Sequence, residues 1–138
     1  MRDAWMLCAS MLVACGGDDG STLPDGAPPG TPREVITESK QLLVGEIAEA
    51  ILVGGPDDRA VISVTAPAAK LDWNIHGHAS GETTTVEEGF DVMSVHYTLT
   101  PPAQADWFLL LRNRDTAPMT VQIEIGLYGD MQWSGWQL

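Results

Sequence analysis

Two stretches of the chain alternate without interruption. In "DVMSVHYTLT" (91–100), Met93, Val95, Tyr97 and Leu99 share one parity, and Ser94, His96, Thr98 and Thr100 share the other. In "MTVQIEIGLYG" (119–129), Val121, Ile123, Ile125 and Leu127 alternate with Gln122, Glu124, Gly126 and Tyr128. A period of two sends successive side chains to opposite faces of an extended chain, so both stretches predict strands with the apolar set turned inward. "RAVISVT" (59–65) and "KLDWNIH" (70–76) read the same way, and "DWFLLLR" (106–112) is apolar at both parities, which predicts a central strand. Turn chemistry separates these runs at Gly54 to Asp58, Ala66-Pro67, Gly77 to Gly81, Thr100-Pro101-Pro102 and Asn113 to Pro118.

"SKQLLVGEIAEAILVGG" (39–55) fits two periods. Leu43, Ile47, Ala50 and Ile51 line one helical face, while Ile47, Ile51 and Val53 share a strand parity. Gly45 and the β-branched end favour two short strands. The expected fold is all-β: a two-sheet antiparallel sandwich of seven or eight strands over residues 34–138, with jelly-roll or immunoglobulin-like connections. In texture, though in no motif, it resembles the small β-sandwich modules that accompany secreted bacterial enzymes.

The first 33 residues have a different composition. Arg2 is followed by an uncharged apolar run, Ala4 to Ala14, too short to span a bilayer and of the length of a secretory h-region. Residues 16–33, "GGDDGSTLPDGAPPGTPR", hold one large apolar side chain, Leu23, and read as a flexible linker. Flexible-chain scaling gives it a span of roughly 21–25 Å. The seam between the two, Leu12-Val13-Ala14-Cys15, resembles the bacterial lipobox. The resemblance implies that 1–14 is a signal peptide, that Cys15 is lipidated and becomes the first residue, and that a membrane holds the protein through that lipid. Gly16, where Asp resembles an inner-membrane retention signal, favours the outer membrane in a cell with two membranes.

Charge and cysteine usage narrow the partners. With 19 Asp and Glu against 7 Lys and Arg, the formal charge is −12, which sets nucleic acid aside as a partner and argues against adsorption to anionic lipid through basic residues. The two cysteines, Cys8 and Cys15, both lie in the leader, so neither a disulfide scaffold nor a CxxC site is expected.

Two side-chain sets carry candidate chemistry. His76, His78 and His96 fall within twenty-one residues. An HxH pair on a strand directs two imidazoles to one side, and His96 from a neighbouring strand would complete a Zn or Cu site, with Asp72 or Glu124 as carboxylate helpers. Solvated histidines on a polar face are the competing reading. The second set is aromatic: Tyr128, Trp133 and Trp136 in "YGDMQWSGW" would stack on a glycan or meet an envelope protein if exposed, and close the sandwich if not. Arg112, Arg114 and Asp115 in "LRNRDTAP" suit an anion, or local ion pairs in a turn. Asp57 and Asp58 lack the loop spacing of a calcium site.

No GxSxG, HExxH, P-loop or dinucleotide fingerprint is present, and Glu87-Glu88 as strand neighbours point to opposite faces. The sequence therefore predicts a lipid-anchored envelope protein with a non-catalytic β-sandwich binding domain. The alternative is a periplasmic Cu or Zn protein built on the three histidines.

Overall fold

A computed structural model describes residues 30–137. The expected signal peptide, Cys15 and nearly all of the expected linker lie outside the described residues.

Nine strands make up the described chain: β1 Glu34–Leu42, β2 Ile47–Gly54, β3 Arg59–Thr65, β4 Leu71–Gly77, β5 Thr84–Val92, β6 Ser94–Leu99, β7 Ala105–Asn113, β8 Met119–Tyr128 and β9 Gln132–Trp136. They form two antiparallel sheets, ordered β1-β8-β3-β6 and β5-β4-β7-β2-β9. The chain changes sheet at every connection except β4 to β5, so the first eight strands have the order of a jelly roll, with β9 added beside β2. The immunoglobulin-like alternative is thereby set aside.

Residues 39–55 are two strands and a turn. Gly45 takes φ +73, a conformation that suits glycine, between Leu42 and Ile47. Asn113, fully buried at the end of β7, ties this corner to the next. Its Nδ2 donates to Leu42 O (3.2 Å) and Ala117 O (2.9 Å), and its Oδ1 accepts from the Asp115 amide (2.7 Å). A buried carboxamide placed this way satisfies main-chain groups that a corner would otherwise leave unpaired.

The core follows the predicted parities in β3, β4 and β8, whereas in β2 the parity of Ile47, Ile51 and Val53 faces outward. Ala60, Ile62 and Val64 of β3 and Val121, Ile123, Ile125 and Leu127 of β8 face Leu71 and Ile75 of β4, Trp107, Leu109 and Leu111 of β7, and Ala50 and Leu52 of β2. Each fully buried Leu or Ile contributes about 1.5–3 kcal/mol relative to exposure. Trp73 is core, and Gly89, its partner on β5, makes room for it: a β-carbon there would lie 2.4 Å from the indole Nε1. Met93 departs from its expected inward place. Strand β5 ends at Val92 and β6 begins at Ser94, so Met93 stands at a corner between sheets and is exposed. Strands β5 and β9 have no counterpart in the sequence reading.

Candidate binding face

The two outer faces of the sandwich differ in character. On the four-stranded sheet, outward positions are Thr37, Ser39 and Gln41 of β1, Thr120, Gln122 and Glu124 of β8, Ser63 and Thr65 of β3, and Ser94, His96 and Thr98 of β6, with Val35 and Val61 as aliphatic exceptions. That is an ordinary solvated face. On the five-stranded sheet the outward residues are mixed, with an apolar group at the centre: Ile47, Ile51 and Val53 of β2 oppose Arg112, Phe108 and Asp106 of β7, and Leu110 of β7 lies between Glu49 and Asn74. Ile47 is 53% exposed and Phe90, on β5, is 63% exposed. Phe108, Leu110, Ile51 and Val53 are half-buried.

Histidine closes one end of this face. His76 is buried, its ring stacked on Phe108 (centroids 5.2 Å, 16° between planes), and His78 stands edge-on to both rings at 5.4 Å. The His76 Nδ1–H donates to Asn74 Oδ1 (2.8 Å), which leaves Nε2 facing Glu49 Oε1 at 3.7 Å. Burial pushes the His76 pKa below its usual value and the neighbouring His78 adds to this, while Glu49 opposes both.

At the other end, Arg112 stands directly across from Asp72 in the sheet, yet Asp72 is engaged elsewhere: its Oδ2 is 3.5 Å from Arg114 Nε, and its Oδ1 accepts from the Asp91 amide (3.0 Å). The Arg112 Nε is buried without a hydrogen-bond acceptor among the described residues. The Arg112 side chain borders a hollow of about 190 Å³ lined also by Ile47, Asp72, Trp73, Asn74, Phe90 and Leu110. A buried donor left unpaired costs on the order of 1–3 kcal/mol.

The structure does not assemble the three-histidine site. His76 and His78 come together as the HxH spacing predicted, but His96 belongs to β6 of the other sheet and faces solvent on the opposite side of the sandwich, where Ser63 Oγ lies 3.0 Å from its Nδ1. Glu124 is on that far face too, in the row of Ser63. Among the described residues, no three His, Cys, Asp or Glu side chains converge on a metal position.

The aromatic set is also placed differently from an exposed platform. Trp133 and Trp136 pair with Leu52 and Ala50, both inward residues of β2. Three residues apart, they would face opposite ways in a regular strand; the register shift opposite Ile51 and Leu52, with Gly135 at φ +88, turns both inward. They meet edge to face at 5.9 Å, Trp136 Nε1 donates to Glu38 Oε2 on β1, and Lys40 Nζ lies 5.2 Å from the Trp136 ring. The pair closes the open side between β1 and β9. Tyr128 ends β8, half-buried, against Gly126.

No family model matches this chain, and no curated protein matches it. Solved structures do. PliG of Aeromonas hydrophila, a periplasmic lysozyme inhibitor of g-type lysozyme, is 9% identical with a TM-score of 0.51, over 74% of this chain and 91% of that one. The Yersinia pseudotuberculosis-derived mitogen, YPM, is 10% identical with a TM-score of 0.51, over 77% and 95%. The likeness is one of fold.

Sequence reasoning missed Phe108, Leu110, Ile51, Ile47 and Phe90 as site residues. A signal for four of them was present: "DWFLLLR" and "IAEAILVG" are apolar at both parities, as strands covered on both faces are. Phe90 lay in a strand that showed no such pattern.

Proposed function

We propose that this protein is a lipid-anchored envelope lipoprotein whose jelly-roll domain is a non-catalytic module that binds another protein through the outer face of its five-stranded sheet. The observation that carries this reading is the apolar centre of that face, set against the solvated face opposite, because a contiguous apolar patch on an outer surface marks an interaction site. The Arg112 guanidinium, which lines the hollow beside it, favours a partner that supplies a carboxylate or carbonyl. A lysozyme inhibitor on the same fold acts on another protein, which is the same kind of role, although fold alone does not transfer it.

The geometry of the entry point agrees with an anchor. The described chain enters β1 past Pro32, which packs on Gly126 of the four-stranded sheet, away from the proposed binding face. The anchor itself rests on the lipobox-like seam at Cys15.

A photoreactive benzoylphenylalanine at position 90, and separately at position 122 on the solvated face, tests the reading in the producing cell. A discrete protein adduct from position 90 and none from 122 is expected. Equal adducts from both, or none from 90, would refute the assignment of this face.

A further inference from the structure

The corner where β8 turns into β9, beside the start of β1, holds a second concavity. It measures about 370 Å³ and is lined by Arg33, Glu34, Asp130, Gln132 and Trp133, none of which belongs to the apolar face. Part of its frame is hydrogen-bonded within the protein. Asp58, buried under the turn, accepts from the Asp130 amide through Oδ1 (2.7 Å) and from the Gly55 amide through Oδ2 (2.8 Å). Arg33 donates from Nε to Gly129 O (3.0 Å) and from Nη2 to Met131 O (2.5 Å), with Nη1 3.8 Å from Glu34 Oε2. Trp133 is held edge to face by Trp136.

The chemistry of the lining selects the ligand. A guanidinium, two carboxylates and a carboxamide offer donors and acceptors beside one half-buried indole. An anion would meet two carboxylates against a guanidinium already engaged by two carbonyls. A wholly apolar ligand would strand the polar lining. A sugar ring meets both demands, because its vicinal hydroxyls donate and accept at once and its C–H face is apolar. The volume stands at the small end of the range for ligand sites, which suits one or two rings. The chain's charge of −12 disfavours an acidic sugar.

We infer that this concavity binds a neutral mono- or disaccharide, with the sugar's C–H face on Trp133 and its hydroxyls shared among Asp130, Gln132, Glu34 and Arg33. The site is independent of the protein-binding face. The test is saturation-transfer NMR on the full chain with maltose, cellobiose, lactose and N,N′-diacetylchitobiose at up to about 10 mM, a range that detects weak affinities. At least one sugar should bind saturably, and Trp133→Ala should weaken it at least about tenfold, as loss of a stacking aromatic does. Because Trp133 also packs against the core, Asp130→Ala, an exposed change, should give a comparable loss in a protein whose thermal unfolding is unaltered. Phe90→Asp, on the other face, should leave sugar binding intact. Silence from all four sugars, or binding that survives both Trp133→Ala and Asp130→Ala, would overturn the inference.

Discussion

His76 shows how one side chain couples this face to pH. Buried against Phe108, it resists protonation, and its pKa lies below the 6.5 of the unfolded chain. Between those two values the unfolded chain holds the extra proton, so stability is fully present above pH 6.5 and falls as pH drops through that window. Urea midpoints followed from pH 7.5 down to 5 should therefore decline in the wild type and decline less steeply in His76→Gln. An equally steep decline in the variant would assign the loss to other groups. Asn113 is the complementary case: an uncharged buried group whose three hydrogen bonds make its place in the corner independent of pH.

Strand β9 is decided by a single irregularity. With only five residues and one neighbour, it gains little from its ladder and is held by two indoles that must both face inward. Gly135 provides the left-handed φ that makes this geometry accessible, and a β-carbon there would meet nothing within 4 Å. The cost of Gly135→Ala is thus backbone strain alone, about 1–2 kcal/mol. Denaturant unfolding should show that loss. A neutral result would mean that the bulge tolerates the side chain and that another feature directs Trp133 and Trp136 inward. The long strand β8 differs in kind, since its alternation alone settles which side faces the core.

For the whole molecule, anchor and binding face are separate requirements. In the proposed reading, a linker of roughly 21–25 Å root-mean-square span would let the domain reorient beside a membrane, with no fixed contact with lipid needed to present the five-stranded sheet. The proposed anchor depends on Cys15. Replacing it, Cys15→Ser, should abolish incorporation of labelled palmitate and block processing at Ala14. An acylated variant, or unchanged processing, would show that the seam at Cys15 is not the modification site.

Alternation along "RAVISVT", "KLDWNIH" and "MTVQIEIGLYG" was enough to fix β-class and the inward faces of three strands, because parity is a local property of an extended chain, while "DWFLLLR", apolar at both parities, announced a central strand without naming its inward side. The chain also displays its lipobox-like seam and its acidic balance without any structure. Pairing is another matter. Only β4 and β5 are neighbours both in sequence and in a sheet; every other pair joins strands far apart, and nothing local names the partner. For that reason His96 could be placed near His76 in sequence and stand across the sandwich in space. The strands "TTVEEGFDV" and "QWSGW" escaped detection because one is a bulged, exposed edge and the other a bulged five-residue strand, so neither keeps a period of two. The binding face was half legible: apolar residues at both parities of β2 and β7 announced it, but its extent depends on which strands flank them. Closure of the sandwich made that choice, since burying the two inner faces together fixes the strand order and leaves Phe108, Leu110, Ile47 and Phe90 on one outer surface.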